Sequence, residues 1–266
     1  MKILHIWDQA AVACTLVKYQ RKLGHEALVV KRKGYDPFGI MKFYNEKIWN
    51  VKFNKIFSWL AIKKAKEYDI IHIHDQFRLA SSLKDKYPEK KIILHYHGSI
   101  LRLTPRKILE KYERKVDCIL VSTPDLLDFV DAIYLPNPID VEHFHARKIK
   151  TNGKAISIMS RLESQNDLKQ LLNLNKISLN VEYLNRESKP IEYSDMPDFL
   201  SKFEYLIDLK LVYGNKAMPA YGCLGLQGLN LGLKVLNYKF EIENHFPNQH
   251  DPKMVAKKIM EIYESI

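Results

Sequence analysis

Residues 69–76 read Asp-Ile-Ile-His-Ile-His-Asp-Gln. The apolar run enters at Ile70 and leaves through His74, Asp75 and Gln76. It lacks the polar–apolar alternation of a half-exposed strand. That predicts a strand covered on both faces, as in a parallel sheet sandwiched by helices. Working outward, the same pattern recurs. The run 2–7 ends at Asp8-Gln9-Ala10-Ala11, 92–95 ends near His97-Gly98-Ser99, and 118–121 ends at Ser122-Thr123, with 27–30 as a further run. Helical patterns fall between them. One spans 10–23 and stops at Gly24, a residue suited to the left-handed conformation just past a helix. Another spans 105–115, with Thr104 as N-cap and Pro105 in the first turn.

The rhythm restarts after a proline-containing, basic stretch, 136–153, that predicts a linker. Strands are expected at 155–159, 181–184, 205–209 and 233–236. Helices are expected at 167–174, 196–203, 222–231 and 252–263. Strand–helix alternation in both halves predicts an α/β protein of two Rossmann-like domains, 1–145 and 146–266. In such sheets ligands bind beyond the carboxyl ends of the strands. The polar ends just quoted are therefore the first place to look for chemistry.

Composition narrows the class. The chain has 266 residues, 46% of them apolar, which supports real cores and excludes disorder. Cys14, Cys118 and Cys223 are scattered and odd in number, as expected of reduced thiols in a cytoplasmic protein. No stretch reaches the ~18 apolar residues of a membrane span. The net charge is +11, and the whole excess lies in residues 1–150. A basic first half predicts an anionic partner, such as an anionic membrane surface or acceptor. Residues 31–66 mix lysines with aromatics. Phe53, Ile56, Phe57, Leu60 and Ala61 fall at helical spacing, as for a helix packed on the sheet. No RNA-binding or helix-turn-helix motif is present, so nucleic acid is not an expected partner.

Several motifs in order carry a family resemblance. Asp69-Ile-Ile-His-Ile-His74, His95-Tyr-His-Gly-Ser99 with Arg102, Val121-Ser-Thr-Pro-Asp-Leu126 and Leu135-Pro-Asn-Pro-Ile-Asp140 come first. Ser160-Arg161-Leu162 and Tyr221-Gly-Cys-Leu-Gly-Leu-Gln227 follow. Together they resemble the GT-B glycosyltransferases, in particular the retaining group that uses nucleotide sugars. The resemblance implies two Rossmann-like domains facing a central cleft. It implies no cofactor beyond a nucleotide diphosphate sugar as donor substrate, and a glycan or lipid-linked acceptor. It departs where that group carries two glutamates eight positions apart; here Pro219 and Gln227 stand there. These departures also fit a non-catalytic relative that binds a glycan or nucleotide, or serves as partner subunit of an active transferase.

The candidate catalytic residues are His97, Asp75 and His74, at neighbouring strand ends. Gly98 would let a ligand approach His97 closely, and Asp75 could orient an acceptor hydroxyl or accept its proton. His72 and His95 alternate with apolar residues and are expected to pack within the sheet. For the donor, Arg161 can hold a diphosphate in bidentate fashion. Lys216 can add charge, Tyr221 and Gly222 open a helix with unpaired N–H groups, and Gln227 can reach a ribose hydroxyl. Gln9, Ala10 and Ala11 form a first loop that could offer a similar anion site, provided both alanines keep φ below zero. Neither an Asp-x-Asp pair nor a His/Cys cluster with ligand spacing occurs, so no metal is expected.

Overall fold

Strand β1, Lys2–Ile6, carries Ile3, Leu4 and Ile6 fully out of solvent and lies inside a seven-stranded sheet. The other strands are β2 (Glu26–Arg32), β3 (Lys47–Trp49), β4 (Ile70–His74), β5 (Lys91–Tyr96), β6 (Cys118–Val121) and β7 (Ile133–Tyr134). Their order is β3-β2-β1-β4-β5-β6-β7, parallel throughout. The direction of winding reverses between β1 and β4, which makes that gap the topological switch point where such sheets bind ligands.

Side chains alternate across the sheet. Leu4, Ile6, Ile71, Ile73, Leu94, Tyr96 and Val121 face an apolar core that includes Phe57, Ala61, Leu79, Leu83 and Leu109. His5, His72, His74 and His95 stand on the alternate positions and are fully buried. Helices Val12–Lys22 and Pro252–Ser265 pack against each other and reach these histidines. The helix Asn54–Ala65 buries Phe57, Ala61 and Ala65. Phe53, Ile56 and Trp59 remain exposed, so the expected apolar stripe packs only in part.

The computed structural model describes residues 1–159, 164–186, 188–212 and 216–266. The chain forms two compact units, Met1–Pro138 with Gln249–Ile266, and Ile139–Asn248. This differs from the expected division at 145/146 in two ways: the boundary falls at 138/139, and residues 249–266 join the first unit. The last helix joins the first unit because its partners are there. Tyr263 bonds His72, Lys91 Nζ donates to the Tyr263 carbonyl at 2.8 Å, and Lys258 Nζ donates to the Tyr134 carbonyl at 2.7 Å.

The second unit holds β8 (Lys154–Met159), β9 (Asn180–Asn185), β10 (Tyr205–Ile207), β11 (Leu211–Val212), β12 (Lys216–Ala217), β13 (Lys234–Leu236) and β14 (Ile242–Glu243). Five of these form a sheet ordered β14-β13-β10-β8-β9, parallel except for β14, and β11 pairs with β12. Ala155, Leu168, Leu172, Ile207, Leu209 and Leu236 make its core. Helix Cys223–Leu231 ends at Gly232, whose φ of 95° is the left-handed turn expected there. Two Rossmann-like units are thus present, as the alternation predicts. Among the described residues no helix is long and apolar enough to cross a membrane.

Candidate functional site

The carboxyl ends of β1, β4, β5 and β6 gather the first-unit candidates. The backbone there is bent hard: Trp7, Ala10, Ala11 and Asp75 all have positive φ, as does Gly98 at 113°. Ala10 at 52° and Ala11 at 69° do not meet the condition of negative φ set for an anion site in this loop. The reason lies one residue earlier. The fully buried Asp8 folds back over the loop and accepts from the Ala11 N–H at 3.1 Å and the Cys14 N–H at 3.2 Å. The start of helix Val12–Lys22 is therefore capped by the chain's own carboxylate. Lys31 Nζ, donating to the Asp8 carbonyl at 2.8 Å, backs it.

Asp75 is 5% exposed, with φ of 59°. Its N–H donates to the His95 carbonyl and its Oδ1 accepts from the His97 N–H at 3.0 Å. Burial pushes its carboxyl up to about 6, against the lowering effect of the His97 N–H and the Gln9 side chain. A carboxyl that titrates near neutrality at a strand end is suited to proton transfer.

His97 is half-buried, and both its ring nitrogens point inward. Nε2 lies 2.8 Å from His74 Nδ1, and Nδ1 lies 2.7 Å from Ser122 Oγ. Neither nitrogen is left for a ligand. Gly98 does permit a close approach, by Arg102: a Cβ at Gly98 would stand 2.1 Å from Arg102 Nη1. Arg102 is held there by Asp125 (Nη2 to Oδ2, 2.5 Å) and Thr123 (3.2 Å).

The expectation of no histidine cluster at ligand spacing is also corrected. Sequence spacing hides contacts made across strands. His5, His72 and His74, and again His74, His95 and His97, bring nitrogens within 4.8 Å of one another. His5 is the register partner of His72, and His74 of His95.

In the second unit, Arg161 lies outside the described residues. Lys216 sits in β12, and of its side chain nothing is described. Tyr221 is half-buried, its hydroxyl 3.4 Å from Asn237 Nδ2. Gln227 is buried within helix Cys223–Leu231. Gly222 N–H, expected to meet a phosphate, donates instead to Asp208 Oδ2 at 2.7 Å. Asp208 follows β10 and is 5% exposed. A Cβ at Gly222 or Gly225 would stand 2.6 or 2.2 Å from its carboxylate oxygens, so both glycines make room for it. The sequence reading missed Asp208. Its only signal was an acid directly after an apolar run.

The sequence model of Glycosyltransferase Family 4 matches residues 9–143. No curated protein matches the chain. Among solved structures, it is similar to UDP-GlcNAc 2-epimerase from Neisseria meningitidis bound to UDP-GlcNAc, with TM-score 0.58, 12% identity and 100% of each chain covered. It is similar to UDP-GlcNAc 2-epimerase from Methanocaldococcus jannaschii, with TM-score 0.54, 9% identity, and 98% and 100% covered. It is also similar to an alpha-glucosyltransferase in complex with UDP and a 13-mer DNA, with TM-score 0.55, 14% identity, and 88% and 78% covered. At these identities the likeness is one of fold. The presence of DNA in that last complex removes the ground for excluding nucleic acid as a partner. Absence of a known binding motif does not decide the matter when a protein of similar fold is found in complex with DNA.

Proposed function

Since this chain belongs to Glycosyltransferase Family 4, we propose that it transfers a sugar from a nucleotide diphosphate donor to the hydroxyl of a glycan or lipid-linked acceptor. The observation that carries this reading is Asp75. It is buried, raised to about 6, steered by the His97 N–H and Gln9, and placed beside the switch point of a parallel sheet. It would orient the acceptor hydroxyl and take its proton as the new glycosidic bond forms. His97 and His74 act behind it, as positioning residues. Arg161 and Lys216 are the cations proposed for the diphosphate, Tyr221 the side chain at the helix start beside it, and Gln227 the ribose contact.

The test is turnover of a panel of nucleotide diphosphate sugars by the wild type and Asp75→Asn, which keeps the acceptor for the His97 N–H. Loss of a general base lowers rates by roughly 10²–10⁴. Donor binding should be unchanged in the variant. Equal turnover by the two proteins would remove Asp75 from the reaction. On the donor side, Arg161→Ala should weaken nucleotide affinity about tenfold to a hundredfold, the worth of a charge-assisted contact. Calorimetry with the free nucleotide checks it, and unchanged affinity would move the diphosphate elsewhere.

A second reading has an observation of its own. Asp208 holds the Gly222 N–H, and Pro219 and Gln227 replace the paired glutamates of the related transferases. A negative group already satisfies the positive end of the helix. This favours a relative that binds a nucleotide or glycan without transferring it. Nucleotide binding without turnover of any donor would decide for it.

A further inference from the structure

Five imidazoles line one face of the first sheet, and all ten of their nitrogens are in contact with a polar partner. From one end the string runs Gln20 Oε1 to His5 Nε2 (3.0 Å), His5 Nδ1 to His74 Nε2 (3.1 Å) and His74 Nδ1 to His97 Nε2 (2.8 Å). It continues from His97 Nδ1 to Ser122 Oγ (2.7 Å), Ser122 Oγ to His95 Nε2 (3.1 Å), His95 Nδ1 to His72 Nε2 (3.1 Å) and His72 Nδ1 to the Tyr263 hydroxyl (2.5 Å). Gln20 Oε1 can only accept. One assignment then satisfies every contact: all five rings neutral with the proton on Nε2, and the Ser122 and Tyr263 hydroxyls donating.

Counting hydrogens shows what the string can do. Gln20, His5, His74, His97 and Ser122 are joined by four links. Three neutral imidazoles supply three hydrogens, and the Ser122 hydroxyl supplies the fourth. A single added proton would give the rings four hydrogens for the same four links, so that His97 Nδ1 donates to Ser122 Oγ. The displaced hydroxyl hydrogen has a place to go, because Ser122 Oγ lies 3.2 Å from the Tyr96 carbonyl. Ser122 Oγ can accept from His95 and His97 together, having two lone pairs. A second acceptor waits as well. Asn137 Oδ1 is buried without a hydrogen-bond partner, and the Asn137 side chain acts on His97 in the direction that favours the charged ring.

We propose that His5, His74 and His97, bracketed by Gln20 and Ser122, form a binding site for one shared proton, with rotation of the Ser122 hydroxyl as the switch between empty and loaded states. The proton enters at His97, the one ring of the five that is not fully buried. It passes as His97 gives its Nε2 hydrogen to His74 Nδ1, and His74 gives its own to His5 Nδ1; no heavy atom moves. The other arm, His95 and His72, ends on the Tyr263 hydroxyl, itself a donor, and stays neutral. The groups facing the site are Arg21 and Gln20 from helix Val12–Lys22, Tyr263 from the last helix, and Asp75, Asn137 and the Arg102–Asp125 pair at the strand ends. Burial and Arg21 oppose loading; sharing over three rings and the Ser122 and Asn137 oxygens favour it. The alternative use of such a cluster is a metal site, but a metal needs several lone pairs aimed at one point. Here each lone pair is already met by a neighbour's hydrogen. This inference does not depend on the transferase reading.

The test is imidazole ¹⁵N NMR of the whole chain through an acid titration, with backbone amides reporting the fold. The expected result is that His5, His74 and His97 respond at one midpoint with uptake of one proton in total, while His72 and His95 do not. Ser122→Ala should lower that midpoint by about one pH unit or more, the worth of a hydrogen bond to a charged group; Ser122→Thr should restore it. Separate midpoints, uptake of more than one proton, an unshifted midpoint in a folded Ser122→Ala protein, or loss of the fold before any of the three rings protonates would each overturn the proposal. One equivalent of Zn²⁺ added to the wild type should leave the titration unchanged. If it instead converts the three rings to metal-bound signals and abolishes proton uptake, the site is a metal site.

Discussion

At the scale of single residues, Gly98 shows how far the sequence could be read. Its place after a strand-end histidine marked a close approach, and the approach is real. What approaches is Arg102, four residues on: the sequence marked it as part of the same motif but did not say that it packs on Gly98. The consequence is testable. Gly98→Ala must hold a side chain at φ of 113° and push aside a guanidinium that Asp125 and Thr123 hold in place. Backbone strain of this kind costs about 1–3 kcal/mol. Urea denaturation should show a loss of that size, and a variant as stable as the wild type would contradict the account of this turn. His97 teaches the complementary lesson. Its position was legible, but the inward direction of both ring nitrogens depends on His74, on β4, and Ser122, just past β6.

At the scale of elements, the strands of the first sheet were legible because their runs are apolar and end in polar groups. The short strands at Lys47–Trp49 and Ile133–Tyr134 were not, because two or three residues carry no period. Thr104 was expected to cap the helix after it, but the helix Arg106–Glu113 starts from Pro105 with no side-chain cap. The buried face of β1, β4 and β5 gives the sheet a distinct response to acid. Burial holds His5 and His97 down to about 3 from 6.5, and His72, His74 and His95 well below 6.5. The unfolded chain protonates these rings near pH 6.5, whereas the native state takes up protons there only at much lower pH. Stability is therefore full above pH 6.5 and falls as pH drops from there toward the folded values. The slope is about 1.4 kcal/mol per pH unit for each proton bound by the unfolded chain alone. Asp75 has the opposite sign. Its folded value of about 6 lies above the unfolded 3.8, so between those values the native state holds the extra proton and offsets one histidine. Chemical denaturation at pH 7, 6 and 5 should show a steep loss of stability. A flat profile would mean that the rings are charged in the native state.

At the scale of the whole molecule, the collinear order of weak motifs was enough to place the chain among GT-B proteins. Two features escaped because they join distant parts of the sequence. A helix was expected at 252–263, but a helical pattern does not say which sheet it covers. The Asp208–Gly222 contact was invisible for the same reason. The helix buries Val255, Ala256, Ile259, Met260, Ile262 and Tyr263. At about 1.5–3 kcal/mol for each large apolar side chain, that is comparable with the roughly 5–15 kcal/mol that holds a domain folded. A chain cut after residue 248 should lose cooperative unfolding of its first unit, read by circular dichroism. A truncated chain that melts like the full one would show that the helix is dispensable. The central claim, sugar transfer assisted by Asp75, is tested most directly by the pH dependence of transfer to acceptor at saturating donor. The account predicts a rate that rises with a single ionisation near pH 6 in the wild type, and no such limb in Asp75→Asn. The same limb in both proteins would contradict it.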